Sequence, residues 1–231
     1  MLKENELSIL KNNVWYSQLP DLFKAFILRH ATHLHVERDQ AVFRSGDTFD
    51  GIYAVIQGKI RLGYIDIEGN ESIAAIAEPI MWFGEISLVD QQPRSHHATA
   101  TEKSTLLKIS NTSIEDLLHT HPQFWFHIAQ LTSQKLRLAF IELISIHTLN
   151  ISQRLAQRLL FILNGYGNHL KIENNTIQLS QEQLAQMLMC SRQTINQELH
   201  QLEQMGILKV AFRKIEIIDT DQLHQMAHST K

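Results

Sequence analysis

Between residues 32 and 110 the chain repeats one pattern: short β-rich runs bounded by turn residues, at roughly ten-residue spacing. The runs are Leu34-His35-Val36, Ala41-Val42-Phe43, Ile52-Tyr53-Ala54-Val55-Ile56, Ile60-Arg61-Leu62-Gly63-Tyr64, Ser72-Ile73-Ala74-Ala75-Ile76 and Leu106-Leu107-Lys108-Ile109. The breaks carry Ser45-Gly46-Asp47, Asp50-Gly51, Gly58 and Glu68-Gly69-Asn70. Strands this short leave their backbone edges unpaired unless they join one another, so the spacing predicts a small barrel or sandwich. A short helical start, Pro20 to Arg29, precedes them.

The period changes at Asn111. Asn111 is placed to cap a short helix, Thr112 to Leu118, and a long helical stretch follows from about Pro122 to Leu149, with Pro122 near its first turn. One seam of that stretch reads Trp125, Ala129, Thr132, Leu136, Ala139, Leu143, Ile146. Alternating four- and three-residue steps are the spacing of a helix that pairs with another helix. The partner is a second copy of the chain or the helix's own barrel. Ile128, Leu131, Leu138 and Ile141 remain to cover the barrel, which favours the second copy. Beyond a hinge near Leu149-Asn150, the chain is helical from Arg154 to Asn164 and breaks at Gly165-Tyr166-Gly167. Then come Ile177-Gln178-Leu179, two short helices, and a hairpin-like Val210 to Ile218. The expected organisation is a barrel over residues 1–120, a pairing helix and hinge over 121–150, and a C-terminal domain over 151–231: an α+β chain.

Charged residues make up 19% with no block of like charge, so a folded chain is expected rather than a disordered one. A single cysteine, Cys190, excludes an internal disulfide framework and supplies too few thiols for an iron–sulfur cluster; it reads as a small buried hydrophobe. Residues 1–11 lack the basic cap and apolar core of a signal peptide, and no stretch approaches the roughly 20 apolar residues of a membrane span, so a cytoplasmic protein is expected. The net charge of −3 argues weakly against nucleic acid, but it is uneven. Residues 151–231 carry eight Lys and Arg against seven Asp and Glu, and residues 1–150 carry 13 against 17. A local basic patch suffices for phosphate contacts.

The C-terminal domain carries two helix starts in quick succession. Ser180-Gln181-Glu182-Gln183 is a capping box, in which the Ser hydroxyl and the Gln side chain satisfy each other's helix-start amides. Ser191 is a second N-cap, and Ile195, Leu199 and Leu202 give the helix after it one apolar face. Ala185 supplies the small residue needed where two helices cross at a tight turn. This is an arrangement in which the first residues of the second helix reach base edges. Gln178 to Ile218 resembles the winged helix-turn-helix of the Crp/Fnr family of bacterial transcription regulators, and Cys190-Ser191-Arg192-Gln193-Thr194-Ile195 matches that family's recognition-helix start. The resemblance implies that Arg192 reads a guanine, where its fork suits O6 and N7. Gln193 and Gln197 fall at further base-reading positions, where the family's cyclic-AMP regulator has Glu and Arg is usual, so a different target is implied. Ser180, Ser191, Thr194 and Asn196, with Lys209, Arg213 and Lys214 of the wing, are expected at phosphates or base flanks. Met189 stands in the turn where Gly is common; a left-handed backbone there costs about 1–2 kcal/mol.

Phe83-Gly84-Glu85-Ile86-Ser87-Leu88 followed by Pro93-Arg94-Ser95 resembles the phosphate-binding cassette of cyclic-nucleotide-binding domains, and the Gly-bearing turns upstream match the same barrel. The resemblance spans about Trp15 to Leu223 and implies a jelly-roll barrel, a long dimerisation helix and a winged helix-turn-helix. It also implies an effector site: Phe83, Gly84, Glu85, Ile86, Arg94 and Ser95, with Thr132 and Ser133 from the long helix. Arg94 suits two phosphate oxygens, Ser95 a third acceptor, Glu85 a ribose hydroxyl, and Gly84 permits close backbone approach. Glu85 and Arg94 are expected to restrain each other when the pocket is empty. The Thr132 hydroxyl is expected to meet a bound base or to bond its own helix. His96-His97 depart from the pattern and either narrow the pocket or point outward. Cyclic AMP is the favoured effector, with no other cofactor expected.

His30, His33 and His35 straddle a helix-to-strand change and are not expected to share a face, so no metal site is expected. No nucleophile triad or Walker loop is present, and no enzymatic activity is expected. The expected partners are a second copy, near-palindromic duplex DNA and RNA polymerase, with no membrane. The alternatives are the same fold with an unknown ligand or none, and a cyclic-nucleotide-binding regulatory subunit whose C-terminal helices bind a protein.

Overall fold

A computed structural model describes residues 2–69, 71–169 and 175–228. Asn70, the last residue of one expected turn, lies outside them. The chain divides into two units, Met1–Leu136 with Asn168–Leu170, and Arg137–Gly167 with Lys171–Lys231. The division falls between Leu136 and Arg137, inside the long helix.

The first unit opens with α1 (Glu4–Lys11), α2 (Val14–Gln18) and α3 (Asp21–His30). The first two are not apparent from the sequence. Eight strands follow, in two antiparallel four-stranded sheets. One runs β1 (Thr32–Val36), β8 (Ser104–Ser110), β3 (Gly51–Gln57), β6 (Trp82–Phe83); the other runs β2 (Ala41–Phe43), β7 (His97–Ala100), β4 (Ile60–Ile65), β5 (Glu71–Ala77). This is the expected jelly-roll barrel.

Alternation along β3 explains how the barrel is clad. Ile52, Ala54 and Ile56 belong to the apolar cluster formed with the helices, while Tyr53 and Val55 between them face the other way, and all five are buried. The cladding is α1 to α3, α5 (Asn111–Thr120) and the start of α6 (Phe124–Thr148), which supply Leu10, Trp15, Phe23, Leu117, Phe124, Ile128 and Leu131. Trp15 packs edge-on against Trp82 at 5.2 Å between centroids, and its indole N–H donates to the His127 carbonyl at 2.6 Å. The cap of α5 is Ser110, whose hydroxyl accepts from the Ser113 amide, and not Asn111: the helix begins one residue earlier than expected. His33 and His35 do share a face of β1, their rings stacked at 6.3 Å, with His33 held by Glu6. Among the described residues no group of three metal-ligating side chains forms, and no helix is long and apolar enough to cross a membrane.

In the second unit the end of α6 packs on α7 (Ile151–Leu163) through Ser145, which donates to Gln157, and Glu142, paired with buried Arg158 at 2.7 Å. These bonds tie the last turns of α6 to α7 within the second unit. Helix α7 is capped by Asn150 in a capping box with Gln153. The remaining elements are β9 (Thr176–Ile177), α8 (Gln181–Leu188), α9 (Arg192–Gln204), β10 (Leu208–Ala211), β11 (Lys214–Ile217) and α10 (Thr220–His228), the last packed on α7. The sheet order is β10-β11-β9.

Ser180 caps α8 in the expected capping box and Ser191 caps α9, accepting from the Thr194 amide at 3.0 Å. Met189 ends α8 in the left-handed conformation, φ 54°, ψ 49°, so the turn demands what glycine gives freely. Its side chain is 73% exposed and loses little by removal. Met189→Gly should therefore raise stability by about 0.5–1 kcal/mol in denaturant unfolding, since relief of left-handed strain exceeds the added entropy of the unfolded chain. Cys190 beside it is half-buried rather than buried, and burial pushes its thiol up, away from the reactive thiolate.

Candidate functional site

The segment from β6 through α4 (Ile86–Asp90) to β7 places two charged side chains, Glu85 and Arg94, in the buried interior. Arg94 is 2% exposed. Its backbone is pinned at both ends to the Ser45-Gly46-Asp47 turn: its amide donates to the Asp47 carbonyl and its carbonyl accepts from the Gly46 amide, each at 2.8 Å. Its guanidinium lies over Phe43 at 4.2 Å and Phe49 at 4.8 Å from the ring centres. Nη1 donates to the Gly84 carbonyl at 2.6 Å; Nη2 donates to Asp50 Oδ1 at 2.6 Å and to the Gly51 carbonyl at 2.7 Å. The fork read from the sequence as open for phosphate is thus held from within. Nε–H is buried and without a partner.

Gly84, at φ +94°, brings its carbonyl under Arg94; a Cβ there would stand 3.1 Å from Nη1. Glu85, 1% exposed, does not pair with Arg94 as expected. Its Oε2 accepts from Lys135 on α6 at 2.6 Å, and its Oε1 is buried without a partner. Each charge in the pocket has found a different counter-ion, Asp50 for Arg94 and Lys135 for Glu85, because a buried charge without one costs several kcal/mol.

The other expected effector residues divide. Phe83 is buried and stacks on Tyr53 at 5.4 Å. Ile86 is half-buried at the start of α4. Ser95 is exposed and bonds His96 Nδ1 at 3.0 Å. Thr132 donates to its own helix at the Ile128 carbonyl, and Ser133 is exposed. Lys135, one turn on, is the residue by which α6 reaches the cassette. His96 turns inward, edge-on to Phe43 at 5.6 Å, with Nε2 buried and unpartnered. Burial and then the charge of Lys135 push its imidazole down, so it is neutral at pH 7. His97 accepts from the Ser45 amide and lies against Tyr64.

Asp50 gathers Arg94, Tyr53 and Lys108. Burial pushes its carboxyl up, but the bonds from Lys108, Tyr53 and Arg94 outweigh that and leave it below its usual range. A carboxylate with a depressed folded pKa stabilises above the unfolded value, about pH 4, and that contribution is lost as pH falls through the folded value. Asp50→Asn should therefore lower stability at neutral pH by about 1–2 kcal/mol, a figure discounted for the half-exposed carboxylate, and flatten acid unfolding below about pH 4. Tryptophan fluorescence during an acid titration reads both.

The second site lies on α8 and α9. Arg192, Gln193, Asn196 and Gln197 are exposed on the first turns of α9, opposite its buried Ile195, Leu199 and Leu202. Arg192 makes no ion pair or hydrogen bond among the described residues. Ser191 and Thr194 bond each other through their hydroxyls at 2.8 Å, and Asn196 reaches Gln181 across the crossing at 3.3 Å, so those groups fix the turn as well as lining it. The β10–β11 hairpin presents Lys209, Arg213 and Lys214, all exposed. A free arginine at the N-terminal end of a capped, exposed helix, followed by a basic hairpin, is a surface suited to reading duplex DNA.

Comparison with known proteins agrees in both halves. The profile of the cyclic nucleotide-binding domain matches residues 33–121, and that of the Crp-like helix-turn-helix domain matches residues 153–226. The CRP-like cAMP-activated global transcriptional regulator of Mycobacterium tuberculosis is 25% identical over 194 residues, 82% of this chain and 85% of that protein. The cyclic AMP receptor protein of Thermus thermophilus is 29% identical over 187 residues, 80% and 83% of the two chains. Among solved structures, FixK2 from Bradyrhizobium japonicum superposes with a TM-score of 0.76 at 20% identity, covering 87% of this chain and 99% of that one. The Mycobacterium protein is named as a transcriptional regulator, and the FixK2 likeness shows the same fold. The chain belongs to the Crp/Fnr family of DNA-binding transcription regulators, with a cyclic nucleotide-binding domain followed by a Crp-like helix-turn-helix domain.

Proposed function

We propose that this regulator works in the cytoplasm as a homodimer whose affinity for a near-palindromic DNA site is set by a small effector, cyclic AMP, bound in the barrel. One observation carries the effector reading. Glu85 Oε1 and Arg94 Nε are both buried and both without a partner, an acceptor and a donor in one pocket of a domain matched to cyclic nucleotide binding. Buried polar atoms are ordinarily paired, and a ligand offering a hydroxyl and an anionic oxygen pairs these two. Glu85 would take a ribose hydroxyl, and the Arg94 guanidinium and Ser95 the phosphate. Lys135 carries the message to α6, because a ligand bound at Glu85 competes with the ion pair that ties α6 to the cassette. Arg192 and Gln193 read base edges, with Ser180, Ser191, Thr194, Asn196, Gln197 and the wing cations at further base and phosphate contacts. RNA polymerase is the partner through which a bound dimer would act.

A second reading has its own support. Arg94 already holds three internal acceptors and Glu85 already holds Lys135, so the pocket carries its charges without any ligand. On that reading the protein binds DNA constitutively. Isothermal titration with cyclic AMP, and with cyclic GMP as control, separates the two. Saturable heat lost in Glu85→Gln and Arg94→Lys supports the gated regulator. Absence of heat with either nucleotide supports the constitutive one.

A further inference from the structure

The turn of the C-terminal hairpin is built against local preference. Ala211 pairs with Lys214, leaving a two-residue tip, Phe212-Arg213. Such tips favour Asn or Gly, which accept positive φ freely. Here the second position is Arg213 at φ 53°, and the first is a phenylalanine whose side chain is 92% exposed. Neither choice helps the hairpin fold: the left-handed arginine is strained, and the ring buries almost nothing. The Arg213 guanidinium lies 5.8 Å from the centre of that ring, so tip ring and tip cation project together. Lys209 and Lys214 flank them on the strands, with Glu216 the one acidic side chain of the hairpin. The hairpin is also fixed to the recognition helix: the Val210 amide donates to Glu203 at 2.9 Å and the Ile207 amide to the Leu202 carbonyl at 3.0 Å. The tip is therefore carried with α9 and not on an independent arm.

We infer that Phe212 is a DNA-contacting residue that packs on the deoxyribose wall of the minor groove beside the site read by α9, with Arg213 at the flanking phosphates. An apolar side chain entering a minor groove gains from leaving water and from the sugar surface, while a paired cation answers the phosphates on either side. The basic surroundings favour nucleic acid over an apolar protein surface as the occupant. The inference rests on DNA binding by α9 and adds a contact to it.

The test uses the full-length protein and a fluorescein-labelled duplex selected by the wild type from a random pool, followed by anisotropy across a KCl series. Phe212→Ala should weaken binding about tenfold with the salt slope unchanged, because an apolar contact releases no counterion. Arg213→Gln should instead reduce the slope, by about one unit for each wing engaged. Netropsin, which fills the minor groove, should weaken the wild type more than Phe212→Ala. Wild-type affinity in Phe212→Ala, with Arg192→Ala still defective, overturns the inference and leaves DNA binding standing. Unchanged DNA affinity with altered self-association in Phe212→Ala assigns the ring to a protein contact, which also overturns it. Failure of the wild type to select or bind any duplex removes the DNA-binding premise itself.

Discussion

Replacing Leu136 and Leu143 together with glutamate is expected to leave the protein monomeric while both units stay folded. The two side chains are 55% and 54% exposed, so neither supports a core. They lie on the seam with Trp125, Ala129, Ala139 and Ile146, all exposed in the isolated chain, while Ile128 and Leu131 on the other face are buried against the barrel. Phe126, Phe140 and Ile144 widen the exposed apolar surface. A long helix that shows one apolar face to water and buries another against its own barrel is suited to pairing with a second copy. Glutamates on the seam would place two pairs of like charge in a dimer interface, each needing several kcal/mol to desolvate. Sedimentation should show a dimer for the wild type and a monomer for the variant. DNA affinity should fall by roughly 10²–10⁴, since the second half-site is then no longer engaged at high effective concentration. A variant that remains dimeric would move the interface off this seam.

Arg192→Ala carries the second large effect. A bidentate arginine–guanine contact is worth about 1–3 kcal/mol of discrimination. Two half-sites double that, so loss at the target sequence should be roughly thirtyfold or more, while affinity for unrelated duplex should change far less. The residue is exposed and unpaired, so the substitution leaves the fold of α8 and α9 intact. A competition assay of target against random duplex measures the ratio. An unchanged ratio would remove the assigned role from Arg192.

The barrel was readable because its strands alternate and end at turn residues, so that runs such as Ile52 to Ile56 announce themselves. The helix-turn-helix was readable because Ser180 and Ser191 cap through contacts three residues away. Elements without such signals were missed: β6 is two residues long, β7 only four, and α1 lacks a regular apolar stripe. In the pocket, the cassette residues follow from local sequence, but their counter-ions do not. Asp50 meets Arg94 across 44 residues and Lys135 meets Glu85 across 50, distances over which spacing carries no information. Lys135, rather than the Thr132 or Ser133 hydroxyl, reaches the cassette, because a lysine stem spans what a hydroxyl on the same helix does not. Met189 shows the converse: the turn position where glycine is common is visible in the sequence, and the backbone there is left-handed.

Effector-controlled DNA binding is the central claim, and its most direct test is the anisotropy of a selected duplex titrated with full-length protein, with and without saturating cyclic AMP. The account predicts that the nucleotide changes affinity in the wild type and leaves Arg94→Lys unaffected, with both proteins binding DNA through Arg192. Equal affinity with and without the nucleotide in the wild type would contradict gating by cyclic AMP and leave a constitutive regulator whose pocket is closed by its own Asp50 and Lys135.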